Sequence, residues 1–131
     1  MYLSTTVRIS DRPKDSKLKD FAIHISEIDL ATGRTLTAPQ VIRASPYGLA
    51  EGSHITKRNQ YYYLFTAEGG TESGHQEWVM RSKEGPLGPY ELGPRNPLWY
   101  NGPEEQVQNT GHADVFAVSY THLTLPTICS V

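Results

Sequence analysis

The sequence of 131 residues lacks several features that would assign a protein to a class at once. It has one cysteine, Cys129, so no disulfide can form within the chain. It has no apolar run long enough to span a bilayer and no secretory signal, and its cellular location is left open. Its formal net charge is only −2, which gives no reason to expect nucleic acid or an anionic membrane as a partner. Its oligomeric state is also left open.

A sustained helical period is absent as well, since no window repeats its apolar residues at the spacing of a helix. The chain has instead eight Tyr, eleven Gly and nine Pro, a composition typical of short strands separated by turns. Alternating patterns predict strands over residues 1–9, 21–28 and 39–44. A charged loop is predicted over residues 10–19, and a hairpin turn over residues 29–34.

The most informative stretch is LAEGSHITKRNQYYYLFTAEGGT, residues 49–71. It predicts a loop that carries Glu51, a strand over residues 53–57, a polar turn and a second strand over residues 61–67, rich in aromatic and β-branched residues. Two adjacent glycines then end the strand. Glu51 is therefore expected just before a strand, beside a glycine that leaves access open.

Further strands are predicted over residues 75–83 and 112–116, with a short edge strand within residues 85–92. Residues 93–109 are predicted to form a long irregular segment, a kind of loop that is usually functional or poorly ordered. Several aromatic and basic residues have predicted places. A structural role is predicted for Tyr61, Tyr62, Tyr63, Trp78 and Arg81. An aromatic platform at a pocket rim is predicted for Trp99 and Tyr100. A place on the strand surface is predicted for His24 and His75.

Two motifs carry a resemblance to a known family. The run A-E-G-S-H-I-x-K-x-x-x-Y-Y-Y-L-F-T-A-E-G-G-T begins at Ala50, and T-G-H-A-D begins at Thr110. Together they resemble glycoside hydrolase family 43, which comprises β-xylosidases and α-arabinofuranosidases on a five-bladed β-propeller. The resemblance covers roughly residues 1–116. It implies an all-β fold, here a fragment of about two blades of such a propeller.

The resemblance implies hydrolysis of glycans that contain xylose or arabinose, with inversion at the anomeric carbon. Glu51 would be the general acid, with a pKa raised by partial burial. Inverting enzymes need a second carboxylate roughly 6.5–9.5 Å from the acid. In the family, the base and a second, pKa-tuning Asp come from strands that would precede residue 1. Asp11, Asp15 and Asp20 are interpreted as solvated, so the chain alone is expected to be inactive.

The resemblance also suggests substrate-binding residues: His112, Thr71 and His54. His112 would lie at the propeller centre and contact substrate, or a water or metal ion in the axial channel; a satisfied core histidine is the alternative. Thr71 would reach the sugar from its loop. Besides binding substrate, His54 would orient Glu51 or pack between blades. Asp114 would share a strand face with His112 or pair with an arginine between blades. No cofactor is predicted, although the family allows a calcium ion in that channel.

The ends of the chain are expected to be artificial. Residues 1–116 are assigned to a partial propeller domain, and residues 117–131 resemble a translated sequencing adapter, the alternative being an ordinary terminal strand. Because blades bury their faces against neighbours, such a fragment is expected to be marginally stable or prone to aggregation. Two other functions remain open: a non-catalytic carbohydrate-binding propeller and a protein-interaction propeller.

Overall fold

The computed structural model describes residues 1–8, 21–119 and 122–124, and these residues form antiparallel β-sheets without any helix. A three-stranded sheet has the order β1-β2-β3, a four-stranded sheet the order β4-β5-β6-β7, and a two-stranded sheet pairs β8 with β9. The all-β prediction is confirmed. The strands of the described residues are β1 (Tyr2–Arg8), β2 (Phe21–Glu27), β3 (Gln40–Ala44), β4 (Ala50–Arg58), β5 (Tyr61–Glu68), β6 (Gln76–Ser82), β7 (Glu91–Leu92), β8 (Phe116–Ser119) and β9 (His122–Thr124).

The first sheet is centred on β2, whose residues Ala22, Ile23 and Ile25 are at most 1% exposed. The predicted turn after β2 is confirmed. The Asp29 carboxylate accepts hydrogen bonds from the Thr32 hydroxyl and the Ala31 amide, at 2.8 and 2.9 Å. These bonds, led by that of Thr32, hold the pKa of Asp29 below its ordinary value. The turn therefore forms from local contacts that its own sequence supplies.

The two larger sheets pack through one face of the second sheet. Leu64, Trp78 and Met80 form the core there, which agrees with the structural role predicted for Trp78. Arg43 of β3 reaches across to Glu68 of β5, with Nε 2.6 Å from Oε1 and Nη2 2.9 Å from Oε2. Glu68 is fully buried, so this bidentate ion pair joins the sheets inside the packed interface.

The three consecutive tyrosines, Tyr61 to Tyr63, are half-buried and lie outside the core cluster of the second sheet, and their structural role stays a prediction. They follow the two-residue hairpin turn, at an end of the sheet where basic side chains lie over the rings of Tyr61 and Tyr62. The Arg81 guanidinium lies 4.6 Å from the ring centroid of Tyr61, and the Lys57 ammonium 5.1 Å from that of Tyr62. Cation–π contacts therefore replace apolar packing here.

The last predicted strand begins later than expected, at Phe116 instead of His112. His112 has a φ of +59°, which lies outside the β region, so the backbone cannot extend through it as a strand. The predicted loop over residues 10–19, Asp11, Asp15 and Asp20 lie outside the described residues. So does much of residues 117–131, and the origin of that segment stays a prediction. No helix in the described part of the chain is long and apolar enough to span a membrane.

Candidate active site

A β-bulge between Glu51 and His54 shifts the register of the first residues of β4. Glu51 pairs with Ala67 and His54 pairs with Phe65, so one extra residue is inserted in β4 between these two pairs. Gly52 in this bulge has a φ of +56°, a conformation that glycine adopts without steric cost. Glu51 is thus the second residue of β4, and the prediction that it precedes the strand was wrong. The strand starts earlier because the bulge absorbs the irregular backbone.

Glu51 shares a sheet face with a second carboxyl group. Residues opposite each other in an antiparallel pair point to the same face. Ala67 of β5 pairs with Glu51 on one side and with Glu77 of β6 on the other. Glu51, Ala67 and Glu77 therefore form one row across the sheet, on the face opposite the core. The same pairing places His54 on the face of Glu51.

The segment over residues 110–115 lies over this face, and His112 touches the residue next to Glu51. A Cβ built on Gly52 would be 2.7 Å from both Cδ2 and Nε2 of His112. The imidazole therefore fills the space that any side chain at position 52 would need. The structure thus places His112 against Gly52, the residue after Glu51. His112 has its own backbone in the sparsely populated left-handed region.

Two more contacts hold the same segment. The Ala113 amide donates a hydrogen bond to Glu77 Oε2 at 3.2 Å. His54 Nδ1 lies 3.4 Å from Asp114 Oδ1, and the pairing of Asp114 with an arginine stays a prediction. Since both side chains of that pair are exposed, at 38% and 78%, the contact between them is the weaker of the two.

His75 is buried, at 6% exposure, so its predicted place on the strand surface was wrong. Its Nδ1 donates to the Gly70 carbonyl oxygen, and a Cβ on Gly111 would be 2.6 Å from its Cδ2 and Nε2. The imidazole therefore packs between two glycine-containing segments that the sequence places far apart. Thr71 follows Gly70 and is exposed. It lies at the end of the sheet that carries Glu51, because Ala50, the first residue of β4, pairs with Glu68, the last residue of β5.

Glu77 is the functional candidate that sequence reasoning missed. Its side chain is 1% exposed, and this burial raises its pKa from 4.5 to about 7, although the amides of Ala113 and His112 lower it. Its Oε1 has no hydrogen-bond partner within the described residues. Its strand, QEWVMRS, carries other polar residues, so its local sequence gives no signal that this carboxyl group is buried.

The long segment over residues 93–109 is hydrogen-bonded to β6 at two places: Gly93 and Asn96 bond to the backbone of Val79, and Leu98 and Trp99 bond to that of Glu77. The Glu77 amide donates to the Trp99 carbonyl oxygen at 2.9 Å, and the Leu98 amide donates to the Glu77 carbonyl oxygen at 2.7 Å. Tyr100 is 46% exposed beside them. The aromatic platform of Trp99 and Tyr100 stays a prediction. In the part of the chain that the structure describes, no group of three or more His, Cys, Asp or Glu is placed to hold a metal ion.

Comparison with known proteins agrees with the two motifs. The family model described as Glycosyl hydrolases family 43 matches residues 9–124. The chain belongs to this family. A xylan 1,3-beta-xylosidase from a Vibrio species is 40% identical over 93 residues, which are 69% of this chain and 17% of that enzyme. A non-reducing end alpha-L-arabinofuranosidase from Bacteroides ovatus is 41% identical over 91 residues, 67% of this chain and 17% of that enzyme. This family 43 chain thus spans about a sixth of the length of these relatives.

Solved structures resemble the fold of this family 43 chain. A xylan beta-1,4-xylosidase from Bacillus halodurans C-125 has a TM-score of 0.81 at 29% identity, and the match covers 98% of this chain and 26% of that one. A GH43_12 protein retrieved from capybara gut metagenome has a TM-score of 0.76, also at 29% identity, with 88% and 23% covered. The sheets described above therefore have counterparts in larger proteins of the family.

Proposed function

We propose that this chain forms the general-acid part of the active site of an inverting glycosidase that acts on xylose- or arabinose-containing glycans. The observation that carries the proposal is the contact of His112 with Gly52, directly beside Glu51. It joins the two family motifs, which are about sixty residues apart in the sequence, at one end of one sheet. Relatives named for xylosidase and for arabinofuranosidase activity match at 40% and 41% identity, so the proposal covers both sugars.

The architecture supports a fragment of a five-bladed propeller. The three-stranded and the four-stranded antiparallel sheets follow each other along the chain. Within each sheet, strands that are consecutive in sequence are neighbours, as in a propeller blade. β8 starts a further sheet after the segment that carries His112. In this arrangement Glu51 lies near the start of the first strand of its sheet, where a blade approaches the central axis.

In the proposed mechanism Glu51 donates a proton to the glycosidic oxygen as the bond to the anomeric carbon breaks. A carboxylate on the opposite side of the sugar removes a proton from the attacking water, at roughly 6.5–9.5 Å from the acid. Glu77 shares a face with Glu51, but it is buried under Ala113 and cannot activate such a water. As the resemblance to the family implies, we propose that the base and the pKa-tuning Asp come from outside this chain and that the chain alone is inactive.

Three further residues are proposed to contact or orient the sugar. His112 presents its imidazole beside Glu51 and would contact the substrate. Thr71 lies exposed in the loop after β5, at the same end of the sheet. His54 shares the face of Glu51 and contacts Asp114, so it either binds substrate or keeps the acid oriented.

The proposal is tested with a full-length protein that carries this segment. It should hydrolyse alkyl xylosides or arabinofuranosides, and proton NMR of the first product formed should show the anomer opposite to that of the substrate. The same anomer in substrate and product would refute inversion. Binding of these sugars without cleavage would favour a carbohydrate-binding propeller, and neither binding nor cleavage would favour a protein-interaction propeller.

A further inference from the structure

Glu77 has a side chain that the proposed chemistry does not use, although it lies in the same row as Glu51. Its carboxyl group is nearly inaccessible, at 1% exposure, and one of its oxygens has no partner in the described residues. Burying a carboxyl group is unfavourable unless its contacts compensate. The contact that the structure shows is with the segment over His112 and Ala113, which points to a role in placing that segment.

The backbone of Glu77 is fixed on both sides of the side chain. Its amide and its carbonyl oxygen bond to Trp99 and Leu98, while β5 pairs along its other edge. The side chain therefore lies on the face of the sheet that the segment over residues 110–115 covers. Its Oε2 accepts the Ala113 amide at 3.2 Å, and the His112 amide also faces the carboxyl group.

The backbone of His112 needs such support. A histidine at a φ of +59° occupies a sparsely populated conformation, which persists only where the surrounding structure fixes it. The contact of His54 with Asp114 on the far side is exposed and correspondingly weak. The buried carboxyl group of Glu77 is the stronger restraint, because water does not compete for its hydrogen bond to the Ala113 amide.

We propose that Glu77 is a positioning residue, whose carboxyl group fixes the amides of His112 and Ala113 and so keeps the imidazole of His112 on Gly52, beside Glu51. This inference rests on the proposed function for its effect on catalysis. The hydrogen bond itself can be tested without any activity.

The test uses the full-length protein with E77Q, E77L and the control E84Q, which changes an exposed glutamate in the turn after β6. E77Q retains an oxygen that can accept the Ala113 amide, so it should keep the kcat/KM of the parent, as should E84Q. E77L removes the acceptor and should lower kcat/KM by about 10- to 100-fold, the size expected when a group at the site is displaced. Rescue by Gln and failure of Leu separate positioning from charge.

A double-mutant cycle tests whether E77L lowers kcat/KM through His112. If Glu77 acts through His112, E77L combined with H112A should lose no more kcat/KM than H112A alone, because the group being placed is already gone. A merely structural role would make the two losses multiply, and that result would overturn the proposal. Activity of E77L equal to that of the parent would overturn it as well.

If E77L does not fold, hydrogen exchange of the Ala113 amide in the parent and in E77Q tests the contact with Glu77. The Ala113 amide should exchange slowly in the parent and in E77Q, while exposed amides of the same segment exchange fast. Fast exchange of Ala113 in the parent would refute the contact. A parent that cleaves no glycoside would instead refute the proposed function, and slow exchange would still support Glu77 as the residue that fixes this segment.

Discussion

At the scale of the residue, Gly52 determines where the imidazole of His112 can lie. We predict that G52A destabilises a full-length protein by about 2 kcal/mol, combining the cost of a side chain at positive φ with overpacking against the ring. The shifted imidazole should also lower kcat/KM. Thermal unfolding and steady-state kinetics measure the two effects.

G33A is the matched control for this prediction. Gly33 has a φ of +68°, but a Cβ there would meet nothing within 4 Å, so it reports the backbone cost alone. G33A should leave kcat/KM unchanged and destabilise less than G52A. Equal effects of the two substitutions on both stability and activity would contradict the contact between Gly52 and His112.

Glu77 should make stability depend on pH. Its pKa is 4.5 in the unfolded chain and about 7 when folded, so between these values the folded state keeps a proton that the unfolded state has lost. The free energy of unfolding should therefore fall as pH rises from about 4.5 to about 7, by up to about 3 kcal/mol, and then level off. E77Q should lack this fall. Unfolding midpoints at several pH values, compared with those of E84Q, measure it; parallel curves for the parent and E77Q would argue against a buried, protonated carboxyl group.

Individual residues were predictable to different degrees. Glu51, His54, Thr71 and His112 were proposed from the two motifs, and the structure places His112 against Gly52, the residue after Glu51. The burial of His75 and the role of Glu77 were missed, because both depend on the segment over residues 110–115, which covers their face of the sheet. That cover is a tertiary contact, and no local pattern in β6 encodes it.

At the scale of the element, Arg43 and Glu68 link β3 to β5 inside the interface of the two larger sheets. We predict that E68Q destabilises a full-length protein by about 3–5 kcal/mol, because it leaves the Arg43 charge buried without its partner. E91Q is the control, since the pair of Arg81 and Glu91 is exposed. It should change the unfolding midpoint little. A small effect of E68Q in the same assay would show that the pair does not join the sheets.

Strands were the part of the fold that the sequence predicted well. Alternation and turn residues located β2, β5 and β6 to within one or two residues, since these are local properties of the chain. The bulge in β4 and the late start of β8 were missed. Each involves one residue with positive φ, Gly52 or His112, and these two residues contact each other across about sixty residues of sequence.

At the scale of the whole molecule, apolar side chains remain exposed along the edge strand β1. Tyr2, Leu3 and Val7 are 41%, 46% and 37% exposed, and β1 pairs with a neighbour on one side only in the described residues. An open apolar edge favours association. We predict that the isolated 131-residue chain self-associates, which sedimentation velocity over a concentration series would show. A monomer that melts cooperatively and reversibly would contradict this prediction.

The most direct test of the whole account is the leaving-group dependence of E51Q in a full-length protein. General acid catalysis contributes about 10²- to 10⁴-fold, and it matters most when the leaving group is a poor one. E51Q should therefore lose at least that factor in kcat/KM on alkyl glycosides and much less on aryl glycosides with acidic leaving groups, while E84Q matches the parent on both. An E51Q variant that hydrolyses alkyl glycosides as fast as the parent would contradict the assignment of Glu51 as the proton donor.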